Sequence, residues 1–126
     1  MITEDNKLEQ TYLTRALWTL GDHCYQASWE KGFWSDDPTE ANARLYYDVT
    51  KLMLVVTELA EGVEGLRHKN PRSAHIPEFS AIEEEIADAI IRLSDLWFRR
   101  GWRVPEAIIA KLLFNATRPQ KHGKVF

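Results

Sequence analysis

An all-α fold, a four-helix bundle-like single domain over residues 1–126, is predicted by three observations. Apolar residues recur at three- and four-residue spacing along most of the chain. Two helix-start signals, at Asp37-Pro38 and at Ser80-Ala81-Ile82-Glu83, punctuate that pattern. There is no strand signal, internal repeat or low-complexity tract. At 126 residues the chain is large enough for a core and small enough for a bundle to complete its packing by pairing.

The first helix is expected over about residues 4 to 30, with Leu8, Tyr12, Leu13, Ala16, Leu17 and Leu20 at helical spacing and Gly21 interrupting the pattern. Residues 31–37 read as a loop. The second helix is expected to open with Asp37 as N-cap, Pro38 at its first position and Glu40 three residues after the cap, and to run to about Lys69. Leu45, Val49, Leu52, Val56, Leu59, Val63 and Leu66 form its apolar stripe, with Glu58 and Glu61 at the margin, where a side chain can face a cleft between helices. Residues 70–79 carry two prolines and read as a loop. The capping box at Ser80 and Glu83 starts a third helix ending near Gly101. Its core is expected at Ile82, Ile86, Ala89, Ile90, Leu93 and Trp97, while Glu85, Asp88, Arg92 and Asp95 share another stripe, Asp95 pairing with Arg92 or Arg99. A last helix, about Pro105 to Ala116, is followed by a basic segment with Arg118, Lys121 and Lys124.

The chemistry lies in two acidic pairs. Glu58 and Glu61, then Glu85 and Asp88, are each three residues apart and embedded in apolar sequence. On a helix such residues sit roughly 60° apart, so each pair presents two carboxylates to one point. One ionised carboxylate taken out of water without a partner costs several kcal/mol, and four together repel. A lone pair of this kind is more often a solvated helix face; two pairs on successive helices favour a cage for a divalent cation. Oxygen-only ligands select Mg²⁺, with Mn²⁺ as a substitute, over Zn²⁺ or a di-iron centre, whose nitrogen or sulfur ligands are absent from both pairs. Mg²⁺ usually keeps waters and binds where a phosphate completes its shell, and the basic end of the chain suits that phosphate.

Net charge is −3, and the four motif carboxylates account for more than all of it, leaving the rest of the chain near +1. No basic excess marks a nucleic-acid binder. Cys24 is the single cysteine and allows no internal disulfide, and His23, His68, His75 and His122 lack zinc-ligand spacing. The polar start of the chain does not resemble a signal peptide, and the longest apolar run, Leu52 to Val56, is far too short to span a membrane. A cytoplasmic protein with no membrane or nucleic-acid partner is therefore expected.

In these motifs the chain resembles the MazG-like members of the all-α nucleoside triphosphate pyrophosphohydrolases. Their Glu-Glu-x-x-Glu, spacer, Glu-x-x-Asp signature is matched by Thr57-Glu58-Leu59-Ala60-Glu61, 23 residues, and Glu85-Ile86-Ala87-Asp88. Lys31-Gly32-Phe33-Trp34 is similar to the segment before the first acidic helix. Lys111, Asn115, Arg118, Pro119 and His122-Gly123-Lys124 resemble the C-terminal phosphate-handling region. Thr57 departs from the family's usual first glutamate. Glu61 and Glu64 offer a second Glu-x-x-Glu reading, but Gly62 and Gly65 flank it, so Glu58 and Glu61 are kept as the ligands.

The resemblance implies hydrolysis of a nucleoside triphosphate to monophosphate and pyrophosphate with Mg²⁺, in a homodimer or dimer of dimers. Glu58, Glu61, Glu85 and Asp88 are then the metal ligands, and Glu58 or Glu61 takes a proton from water. Lys111, Asn115 and Arg118 bind phosphate, and His23, Trp29, Phe33 and Trp34 contact the base. The same fold also serves dUTP and phosphoribosyl-ATP hydrolysis. From another class, a helical dimer that binds a nucleotide or partner without turnover carries similar features.

Overall fold

The computed structural model describes residues 1–125. Four α-helices run in order: α1 Lys7–Glu30, α2 Ala41–Arg67, α3 Ala81–Arg100 and α4 Val104–Ala116. A single 3₁₀ turn, Gln120–Gly123, follows. α3 is the centre, packing against α2 on one side and α1 on the other, while α4 lies against α1. Among the described residues there is no strand, only an isolated bridge between Arg72 and Ser80. Among the described residues no helix is long and apolar enough to cross a membrane.

α1 continues through Gly21, which is buried against α3. A Cβ at Gly21 would lie 2.8 Å from Trp97 Nε1 and 3.1 Å from both the Ser94 carbonyl and Phe98 Cβ, so the glycine sets how closely the two helices approach. Overpacking of this kind costs about 1–3 kcal/mol, more than the ~1 kcal/mol of helix propensity that alanine offers. Gly21→Ala is expected to lower the urea midpoint at unchanged slope, a net loss of about 1 kcal/mol.

The start of α2 differs from the sequence expectation. The N-cap is Glu40, whose carboxylate accepts from the Asn42 and Ala43 amides at 3.0 and 2.7 Å, and the helix begins at Ala41. Asp37 does not cap it because its carboxylate is engaged by Arg99 and Arg100 of α3, with N–O distances of 2.7 and 2.5 Å. Arg100 also binds Asp48 of α2 at 2.8 Å. This ionic clamp fixes the 31–40 segment across the ends of α2 and α3. At the other end α2 stops at Arg67, before Lys69 and Asn70 take left-handed backbone. The capping box of α3 forms as predicted, and Gly101 (φ +65°) ends that helix.

The apolar stripe of α2 does not face its own chain. Leu45, Val49, Leu52, Val56, Leu59, Val63 and Leu66 are 43–61 % exposed, and the buried residues of α2 are Val55, Glu58 and Gly62. On α3 likewise, Ala89 and Trp97 are buried as expected. Ile86, Ile90 and Leu93 are exposed and Ile82 is half-buried, while Ser94, Asp95 and Leu96 are buried. Helical spacing identifies which residues share a face; it does not say whether that face meets the same chain.

Candidate metal centre and adjoining pocket

The acidic helices meet through small residues. A Cβ at Gly62 would lie 2.8 Å from Ile82 Cδ1, and one at Gly65 3.0 Å from Ala81 Cβ. The two glycines let the first turn of α3 lie directly on α2, which brings Glu85 to the acidic step of α2. One carboxylate oxygen from each of Glu58, Glu61 and Glu85 lies within 4.8 Å of the others. Glu58 is buried, Glu85 half-buried and Glu61 exposed, so the group opens to solvent on one side. Asp88, one turn beyond Glu85, lies outside this trio and lines the adjoining pocket.

Charge has accumulated here at a cost. Burial, and then the charges of Glu61, Glu58, Asp88 and Glu84, push Glu85 above the usual carboxylate range. Burial, then Glu58 and Glu84, does the same to Asp88. One cation already offsets part of the repulsion: Arg92 Nε donates to Glu58 Oε1 at 2.5 Å. Next to the group, Glu84 accepts from the Ser73 hydroxyl at 2.5 Å and approaches His75 Nδ1 at 2.6 Å. Those bonds hold Glu84 below its ordinary range and fix it to the 71–79 loop rather than to the trio. An all-oxygen group with residual negative charge and one open side fits a hard divalent cation.

The raised values have a definite sign. A carboxyl that is harder to ionise in the folded protein penalises folding above its raised titration range, and the penalty is relieved as pH falls through that range. A cation needs the ionised form. Mn²⁺ affinity is therefore expected to fall as pH is lowered through that raised range, with proton release on binding, while the metal-free protein gains stability over the same interval. Calorimetry in buffers of different ionisation enthalpy checks both.

A pocket of about 200 Å³ adjoins the carboxylates. Ser28 of α1, Phe33 of the 31–40 segment, Lys51 of α2, and Asp88, Arg92 and Asp95 of α3 line it. Asp95 forms no ion pair with Arg92 or Arg99, contrary to the sequence expectation: it accepts from Trp34 Nε1 at 2.7 Å, while Arg92 binds Glu58 and Arg99 binds Asp37. Burial raises Asp95; the Ser28 and Trp34 bonds and the charges of Lys51 and Arg92 oppose it. Lys51 Nζ donates to the Phe33 carbonyl at 2.7 Å and stands 4.2 Å above the Trp34 ring.

Of the residues expected at the base, Phe33 lines this pocket and Trp34 is buried behind it as the support of Asp95. Trp29 and His23 are exposed on α1, with Trp29 against Tyr25. Of those expected at the phosphates, Lys111 and Arg118 stand 4.7 and 5.8 Å from the Phe114 ring centroid. Asn115 Oδ1 is buried without a hydrogen-bond partner, on the helix that packs against α1. Lys51 and Ser28 were not singled out by sequence. Lys51 lies seven residues before Glu58 and thus on the same face of α2, a spacing that would have found it. Comparisons with protein-family models, curated proteins and solved structures found no match.

Proposed function

We propose that this chain is a Mg²⁺-dependent nucleoside triphosphate pyrophosphohydrolase of the MazG-like type, releasing a nucleoside monophosphate and pyrophosphate. The observation that carries the reading is the meeting of Glu58, Glu61 and Glu85, from two successive helices, within 4.8 Å. Carboxylates without a cation would not be gathered there at no cost. Mn²⁺ is the expected substitute on ligand chemistry.

Glu58, Glu61, Glu85 and Asp88 would hold the metal, which supplies charge against the phosphates and makes water more acidic. Glu61, exposed and in no ion pair among the described residues, would take the proton as water attacks phosphorus and the bridging oxygen leaves with pyrophosphate. Arg92 already reaches Glu58 and lines the pocket, so its guanidinium would offer a fixed positive charge to a phosphate oxygen. Phe33 belongs to the base side, whereas Lys111, Asn115 and Arg118, expected at the phosphates from sequence, do not line the pocket beside the trio.

The exposed stripe of α2 supports assembly as a homodimer or a dimer of dimers. A soluble monomer rarely leaves so continuous an apolar face in water, and a second copy presents the same face. Sedimentation is expected to give at least two chains per particle, and Val56→Glu is expected to shift the population to monomer; a monomeric parent protein would contradict the assembly.

Pyrophosphate release from a panel of ribo- and deoxynucleoside triphosphates, including dUTP, and from phosphoribosyl-ATP tests the activity. At least one substrate is expected to turn over with Mg²⁺ and to stop with chelator. No release from any of them, with Mg²⁺ or Mn²⁺, would overturn the reading.

A further inference from the structure

The pocket beside the carboxylates presents a donor and an acceptor that are not spent on each other. Lys51 and Asp95 line the same space, yet no ion pair joins them among the described residues. Lys51 has three N–H donors and uses one on the Phe33 carbonyl. Asp95 accepts from Trp34 Nε1 through Oδ1 and is also bonded by the Ser28 side chain, which leaves about two of the four acceptor positions on its two oxygens. The pairing with Trp34, which is 2 % exposed, holds that carboxylate in one orientation.

The geometry points to this pocket as the seat of a guanine base, with Asp95 accepting from N1–H and the N2 amino group and Lys51 donating to O6. The inference rests on the pyrophosphohydrolase reading, whose substrate it narrows to guanine nucleotides. Among the common bases only guanine offers two adjacent donors beside a carbonyl. A carboxylate prefers two parallel N–H donors to one, and an ammonium needs an acceptor. Adenine and cytosine present an amino group where Lys51 requires an acceptor or leave one carboxylate oxygen without a donor. Thymine and uracil offer a single N–H.

Position and size agree. Asp88, beside the metal trio, and Asp95 are seven residues apart on α3, about 10 Å along the axis. That separation suits a nucleotide with its phosphates at the trio and its pairing edge at Asp95. A volume of about 200 Å³ is enough for one heterocycle. Phe33 and Ile91 supply apolar flanks for the flat faces.

The test is binding of dGMP, dIMP, dAMP, dCMP and dTMP with Mg²⁺ present, measured by calorimetry, alongside pyrophosphate release from the matching triphosphates. dGMP is expected to bind roughly tenfold to a hundredfold more tightly than dAMP, dCMP or dTMP, with dIMP between because it lacks the N2 amino group. Asp95→Asn is expected to erase the preference of dGMP over dIMP. Lys51→Met is expected to weaken both alike. Equal binding of all five bases, or none, overturns the guanine assignment whether or not Asp95→Asn folds. Unselective turnover of every triphosphate overturns it and leaves the hydrolase reading standing. Selective guanine binding with no pyrophosphate release supports the pocket and sinks the reaction.

Discussion

Glu85→Gln is expected to lower pyrophosphate release by roughly 10²–10³-fold, the scale of losing one fixed electrostatic partner at a reacting centre. The folded helices should persist. Glu85 is a half-buried member of the trio whose ionisation is opposed by burial and by four neighbouring acids. Replacing it by a neutral isostere removes one metal ligand and one repelling charge together. The metal-free variant should therefore melt at a higher temperature than the parent protein while being nearly inactive. Opposite signs for stability and turnover separate a metal site from a structural ion cluster, in which both fall together. A variant that retains parental turnover would exclude Glu85 from the chemistry.

Arg100→Met is expected to destabilise the fold by about 3–5 kcal/mol. The Arg100 side chain is 8 % exposed and bonds both Asp37, itself 3 % exposed, and Asp48. Removing the guanidinium leaves Asp48 without its partner and Asp37 with Arg99 alone. The Arg100 bonds are the main cause that holds Asp37 down to about 2. A carboxylate whose folded value is depressed contributes stability that is fully present above its ordinary value of about 4 and is lost as pH falls toward 2. Acid unfolding of the parent protein should steepen in that interval, and Asp37→Asn should remove the steepening. Because the clamp fixes the segment bearing Phe33 and Trp34, Arg100→Met should also loosen nucleotide binding before global unfolding.

Much of this was legible in the sequence, for physical reasons. Helix spacing, the Ser80–Glu83 capping box and the left-handed Gly101 are local features, and α3 begins and ends where they place it. The acidic pairs were legible because charge inside apolar sequence has few explanations, and Glu58, Glu61 and Glu85 do converge. What the sequence hid depends on partners distant along the chain. Asp37 looks like a helix cap until Arg99 and Arg100, more than sixty residues on, claim its carboxylate. Asp95 looks like half of an ion pair with nearby arginines, but Trp34 is what reaches it. Gly62 and Gly65 look like weak points of a helix, yet they are what let α3 approach. The outward stripe of α2 shows the same limit, since periodicity is identical for a face buried within one chain and a face left for another.

The most direct test of the central claim is Mn²⁺ binding followed by electron paramagnetic resonance, with and without a nucleoside triphosphate. The account predicts that the parent protein binds Mn²⁺, that the triphosphate tightens it, and that Glu58→Gln and Glu85→Gln each abolish most of the binding. Mn²⁺ binding that is absent from the parent protein, or that persists undiminished in both variants, would contradict it.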